Sequence, residues 1–161
     1  MRNTTLVFLY KPEEQRILLA MKKRGFGQGR WNGVGGKLNE GETIRDASVR
    51  EAEEEISVKI KPTDLEQVAV LDFFFEHKPE YDQQVHVFFA TEWVGEPIES
   101  EEMKPQWFLN ADIPYAEMWP DDIFWLPQVL EGNGVRATFT FGENDTITNQ
   151  HVQIVERGSL K

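Results

Sequence analysis

A chain of 161 residues suits one domain with a sizeable core and leaves no room for two. With 17 Lys+Arg against 28 Asp+Glu the formal net charge is −11, the wrong sign for nonspecific nucleic-acid binding, which relies on basic residues to neutralise phosphates. There is no cysteine, which excludes disulfides, thiol nucleophiles and thiolate metal sites.

Hydrophobic residues make up 40% and charged residues 28%, as in an ordinary globular domain. The opening MRNTTLVFLYKPEEQ is charged too soon for a signal peptide, and no run of about 18 apolar residues exists. A cytoplasmic protein with no membrane partner is expected.

Residues 5–10 (TLVFLY), closed by Lys11-Pro12, read as a strand, and residues 16–21 (RILLAM) as its partner across a turn. Lys22, Lys23 and Arg24 form the densest basic cluster. It is a solvated strand end or, with Lys22 foremost, a point charge for an anion. Residues 25–29 (GFGQG) read as a flexible loop, continued by WNGVGGK over 31–37. Glycine-rich backbone can approach a ligand closely, but three glycines in a loop do not define a site.

Thr43 is expected to cap a helix, with Asp46 at capping-box spacing. At about 100° per residue, Ile44, Ala47, Ser48, Glu51 and Glu55 share one arc, with Glu54 at its edge. Val49, Ala52 and Ile56 continue the buried side, whereas Asp46, Arg50 and Glu53 fall opposite. Glu51, Glu54 and Glu55 stand at i, i+3 and i+4, where like charges repel by a few tenths of a kcal/mol per pair. Burying unpaired carboxylates costs more. A hard divalent cation with oxygen ligands would turn that cost into a site. Glu42 and Arg50 are expected to form a structural ion pair tying loop to helix.

Residues 66–75 (EQVAVLDFFF) and 85–91 (VHVFFAT) read as two strands, and the Phe73-Phe74-Phe75 triplet leaves open which ring faces inward. His86, between valines, is expected to be packed or at the surface, not a ligand. An acidic loop over 93–102 leads to a short strand near 104–109, and a second helix is expected from about Asp121 to Leu130. Residues 135–141 should pair with 146–155 across the turn Gly142-Glu143-Asn144-Asp145. Strands interrupted by two helices predict an α/β sandwich with a mixed sheet, one domain over 1–161.

The spacing Gly36, five residues, Glu42, seven residues, Arg50-Glu51-Ala52, one residue, Glu54-Glu55 resembles the signature of the Nudix hydrolases, which cleave nucleoside diphosphates linked to another group. Ser57 stands where the signature has glycine. Glycine would close the helix in the left-handed conformation, and serine there costs about 1 kcal/mol. MKKRGFGQGRWNGVGG over 21–36, EEMKPQWF over 101–108 and MWPDD over 118–122 further resemble the eukaryotic MutT homologues within that family.

The resemblance implies a Nudix-type α/β/α sandwich with a mixed β-sheet and two main helices. It implies a pyrophosphohydrolase dependent on Mg²⁺, with Mn²⁺ able to substitute. The substrates would be oxidised purine (deoxy)nucleoside triphosphates such as 8-oxo-dGTP and 2-hydroxy-dATP, cut by water at the β-phosphorus to monophosphate and pyrophosphate. The enzyme would be a monomer whose partner is the small-molecule nucleotide. Carried over residue by residue, Glu51, Glu54, Glu55 and Glu102 are the catalytic and metal-binding carboxylates, with the Gly35 carbonyl as a further ligand. Thr5, Lys22, Phe26, Asn32, Trp119, Asp121, Asp122 and Phe139 would bind substrate: Lys22 beside the phosphates, Trp119 stacked on the base, Asn32 adding an amide hydrogen bond, Phe26 and one of Phe139 or Phe141 as walls. An ionised Asp accepts from N–H and a protonated one donates to a carbonyl, so Asp121 and Asp122 sharing one proton would suit both oxidised guanine and oxidised adenine. Apart from the resemblance, Pro120-Asp121-Asp122 equally suits the first turn of a helix. A Nudix enzyme for ADP-ribose, a dinucleoside polyphosphate or capped RNA remains an alternative, as does a noncatalytic nucleotide-binding module.

Overall fold

The computed structural model describes residues 1–160; Lys161, the last residue of the expected domain, lies outside them. Strand β1 (Arg2–Lys11) is buried over three successive residues, Val7, Phe8 and Leu9, which an alternating half-exposed strand would not allow. Both of its faces are covered. Val7 and Leu9 join a core with Ala52 and Ile56 of helix α1 (Ile44–Ile56). Phe8 joins a second core with Trp125, Leu126 and Val129 of helix α2 (Asp122–Leu130).

Strand β5 (Gln83–Ala90) runs parallel to β1 and repeats the division, with Phe88 and Ala90 toward α1 and Val85, Val87 and Phe89 toward α2. Strand β4 (Leu65–Phe75) is antiparallel to β5, β7 (Gly134–Phe141) parallel to β4, and β8 (Ile147–Val155) antiparallel to β7. The result is a mixed sheet between two helices, the α/β/α arrangement expected.

The expected first hairpin is correct in partner and short in register. Strand β2 (Arg16–Lys22) meets β1 only at Tyr10–Ile17 and Lys11–Arg16, then leaves it. It pairs instead along its whole length with β6 (Met103–Leu109), and Ala20-Met21 pair with the two-residue strand β3 (Trp31–Asn32) inside the stretch read as loop.

The edge of β1 that β2 vacates is taken by residues 33–37. Val7 and Val34 exchange backbone hydrogen bonds at 2.6 and 2.9 Å, and Thr5 N–H donates to the Gly36 carbonyl at 2.9 Å. This close approach is why glycine stands at two positions: a Cβ on Gly35 would lie 1.9 Å from the Thr5 carbonyl oxygen, and one on Gly33 2.7 Å from that of Val7.

Helix α1 begins and ends as its sequence dictates. Thr43 Oγ1 accepts from the Asp46 N–H at 3.1 Å. At the other end Ser57 adopts φ 63° and ψ 29°, the left-handed conformation for which glycine is suited, and its N–H donates to the Glu53 carbonyl. His86 is packed, with Nε2 3.1 Å from Asn3 Oδ1 and Nδ1 3.4 Å from Gln67 Nε2, and burial holds its pKa below the ordinary imidazole value.

Candidate active site

A cavity of about 300 Å³ opens between the α2 face of the sheet and the 25–37 segment. Its walls come from β1 (Thr4, Thr5, Leu6), β4 (Leu71, Phe73, Phe75), the glycine-rich segment and the start of α2. Its two ends differ in chemistry.

At one end Gly35 and Gly36 line the cavity, and behind them stands the acidic arc of α1. Gly35 N–H donates to Glu55 Oε2 at 3.2 Å, and a Cβ on Gly36 would lie 2.9 Å from Glu51 Oε1. Glu55 is buried, and burial together with the charge of Glu51 pushes its carboxyl up to about 8, against the opposing pull of Lys22. Arg50 binds Glu42 bidentately (2.8 and 3.0 Å), reaches Glu51 at 2.9 Å and Glu54 at 3.1 Å, and caps the Lys37 carbonyl at 3.0 Å. The Glu42–Arg50 pair thus ties loop to helix as expected.

The basic cluster divides in a way that explains which member matters. Lys23 turns to Glu99 and the Ser100 carbonyl, and Arg24 to Glu101 and Glu102. Lys22 alone of the three lines the cavity.

At the other end lie Asp121 and Asp122, 1% and 2% exposed. Asp121 Oδ2 accepts from Trp125 Nε1 at 2.7 Å, but Asp121 Oδ1 and Asp122 Oδ2 are buried with no hydrogen-bond partner. Burial pushes Asp121 up to about 6. Burial and the neighbouring Asp121 charge push Asp122 well above the ordinary carboxylate range. Both carboxyls are thus disposed to hold a proton, and a pair sharing one would present an acceptor and a donor side by side. Trp119, Phe26 and Asn32 line the same end; Asn32 Oδ1 accepts from the Gly33 N–H at 2.9 Å.

The structure brings together Thr5, Lys22, Phe26, Asn32, Gly35, Trp119, Asp121 and Asp122 around one cavity, with Glu51 and Glu55 behind its glycine wall. Four of the residues read from the sequence stand apart from that group. Glu54 is 59% exposed at its side chain and held by Arg50, so it stands apart from the Glu51–Glu55 pair. Glu102 faces Arg24 at 3.5 Å and does not line the cavity. Among the described residues no three His, Asp or Glu side chains converge on one cation site. Phe139 lies fully buried behind Phe73, ring centroids 6.0 Å apart, and is core, not wall. Phe141 is likewise buried and stacks on Phe75.

The wall itself is Phe73 and Phe75, whereas Phe74, 37% exposed, points away. Strand alternation demands that choice once one of the three is placed. The sequence reading also missed Tyr81, stacked on Phe26 at 4.3 Å and 6°, and Arg30, whose guanidinium lies 4.0 Å over the Trp119 ring. Neither sits in a spacing that signals a site.

The donor set suits a divalent cation. Glu55 is a buried carboxyl that its neighbour discourages from ionising, so a cation beside it would supply the missing compensation. An aromatic slot ending in an acid pair, joined to an anion-repelling corner that a cation would reverse, defines a pocket for a molecule flat and polar at one end and polyanionic at the other.

Residues 1–129 match the NUDIX domain, and the chain belongs to that family: it is a Nudix hydrolase. It is 46% identical over 152 residues, 94% of each chain, to the oxidized purine nucleoside triphosphate hydrolase of Mus musculus, and 43% identical over the same length to that of Danio rerio. The fold is similar to the crystal structure of a MutT protein from Bacillus halodurans, with TM-score 0.81 at 24% identity, covering 95% of this chain and 98% of that one.

Proposed function

We propose that this Nudix hydrolase is a Mg²⁺-dependent pyrophosphohydrolase that converts oxidised purine (deoxy)nucleoside triphosphates, such as 8-oxo-dGTP and 2-hydroxy-dATP, to monophosphate and pyrophosphate. The observation that carries this is the buried Asp121–Asp122 pair, whose two unpartnered oxygens and raised carboxyls match an oxidised purine edge bearing both N–H and carbonyl groups. Similarity to the mouse and zebrafish hydrolases supports the same substrates.

Trp119, Phe26, Phe73 and Phe75 form an apolar slot for the base, Asn32 offers an amide group at its edge, and Asp121 accepts while Asp122 donates. Thr5 fixes the Gly36 backbone, with Oγ1 3.4 Å from both Gly36 N and O. Lys22 offers a point charge to the phosphates. Glu51, Glu55 and the Gly35 carbonyl, with Glu54 and Glu102 as further carboxylates, would hold Mg²⁺ or Mn²⁺, whose chemistry is to neutralise phosphate charge and activate a water. The enzyme acts as a monomeric single domain in the cytoplasm on a free nucleotide. In support of a free nucleotide over a nucleic acid, the net charge is −11.

Incubation with 8-oxo-dGTP, dGTP and ADP-ribose in Mg²⁺, with products identified, tests the proposal. The expected result is 8-oxo-dGMP plus pyrophosphate, with kcat/KM more than about ten-fold above that for dGTP and no turnover after chelation. Release of orthophosphate, or faster cleavage of ADP-ribose, overturns it.

A further inference from the structure

Arg30 links three parts of the molecule that are distant in sequence. Its guanidinium lies 4.0 Å over the Trp119 ring and lines the cavity, and Nη1 donates to Asp145 Oδ2 at 3.2 Å. Both partners of that ion pair are largely shielded, 26% and 24% exposed at the side chain. The 25–30 segment leans on Trp119 a second time, for a Cβ on Gly27 would lie 3.4 Å from Trp119 Nε1. The turn supplying Asp145 is itself strained: Asn144 and Asp145, consecutive non-glycine residues, both adopt positive φ (55° and 57°). Asp145 is not part of the cavity wall, and its ion pair with Arg30 is its side-chain link to the site.

We propose that Arg30 is the positioning residue of the base-reading end, holding Trp119 in place from one face, and that Asp145 of the β7–β8 turn holds Arg30 there. The proposal rests on the reading of this cavity as a purine pocket. A cation on a tryptophan face is a directional contact, so the ring is fixed both in plane and in tilt. The same guanidinium is the cation that pulls Asp121 toward ionisation, against its burial. Facing Asp121 are Asp122 and the Trp125 N–H from α2 and Arg30 from the 25–30 segment; the Tyr115 hydroxyl feels the charge of Asp122, and Arg2 from β1 and Lys22 from β2 line the same cavity. Arg30 thus acts twice on one end: it sets the stacking wall, and it favours the acceptor state of the carboxyl beside it.

The two actions separate by substitution. Lysine at 30 keeps the charge and loses the planar stack; glutamine loses both. The probe is 8-oxo-dGMP in the absence of metal, titrated into the wild type and the R30Q, R30K and D145N chains across pH 5 to 8, with thermal melts alongside. R30Q is expected to weaken binding about ten-fold at neutral pH, and R30K and D145N about three-fold. The acid limb of binding, set by Asp121, moves to higher pH in R30Q because the stabilising cation is gone, and stays in place in R30K. In turnover the R30Q loss falls on KM, with kcat within about three-fold. A KM unchanged in both R30Q and D145N, or an acid limb that moves equally in R30K and R30Q, overturns the proposal. A wild-type chain that binds no 8-oxo-dGMP overturns the purine-pocket reading instead.

Discussion

The two acidic clusters of the molecule solve opposite problems. Glu51 and Glu55 lie one turn apart on α1, backed by glycine backbone and steadied from one side by Arg50. Asp121 and Asp122 are adjacent in sequence, sealed at the start of α2, with an indole N–H but no salt bridge. On the proposed reading the first cluster holds a cation, and the second reads the base edge through the acceptor and donor it presents. Burial raises Glu55 in the first and both aspartates in the second, so a raised value alone does not distinguish the two clusters; the partners do.

Removing the charge of Glu55 breaks the comparison most severely. E55Q is expected to lower kcat by at least about 10³-fold with the fold intact. The same substitution should stabilise the metal-free protein at pH 8. Native Glu55 keeps its proton up to about 8, whereas the unfolded chain releases it near 4.5. Between those values the native state binds more protons, so wild-type stability declines as pH rises through that window, and glutamine escapes the decline. The gain at pH 8, on the order of 2 kcal/mol, is read by denaturant unfolding at pH 5 and pH 8. Near-normal turnover in E55Q would sink the metal assignment.

In the second cluster the proton predicts an asymmetry. D121N removes the acceptor and should cost about 10²-fold in kcat/KM for 8-oxo-dGTP, while D122N imitates the neutral form that burial and the Asp121 charge favour at Asp122 and should cost no more than about ten-fold. Wild-type kcat/KM should fall as pH drops through about 6, where Asp121 gains its proton. Equal losses in the two variants would place the proton elsewhere.

The smallest effect sharpens the comparison by leaving both clusters alone. S57G relieves a left-handed serine at the end of the helix that carries Glu51 and Glu55, and should add about 1 kcal/mol, a rise of a few degrees in Tm, with kcat unchanged. A loss of stability would mean that Ser57 makes a contact worth more than its strain.

What could be read from the chain depended on whether a residue's role is local. Helix α1 was legible to the residue because Thr43, the apolar arc and the carboxylate spacing are all within one element, and Ser57 announced its own backbone conformation. Strands β4 and β5 were legible from apolar runs, and the pair β7–β8 from apolar runs and a turn. Register was not: β1 and β2 separate after two residue pairs because residues 33–37 compete for the same edge, which no window of sequence reveals. The same limit applies to single residues. Phe139 and Phe73 are equally aromatic, and only the pairing of β4 with β7 decides which faces the cavity. Glu54 and Glu102 are paired here with Arg50 and Arg24, partners that no local spacing announces. Arg30 and Tyr81 act through long-range stacking and leave no periodic trace.

Strand β1 has one more consequence. Its odd member Thr5 is bonded to the glycine wall in front of Glu51 and Glu55, while its even members Thr4 and Leu6 line the cavity on the α2 side. A paired strand cannot stretch: its rise of about 3.3 Å per residue is fixed by its hydrogen bonds. β1 is therefore a stiff wall of the cavity, bonded to β5 along one edge and to residues 33–37 along the other. On the proposed reading, a nucleotide held by its base meets the acidic corner across a wall that does not yield, so the fit of its sugar and phosphates is tested before chemistry begins.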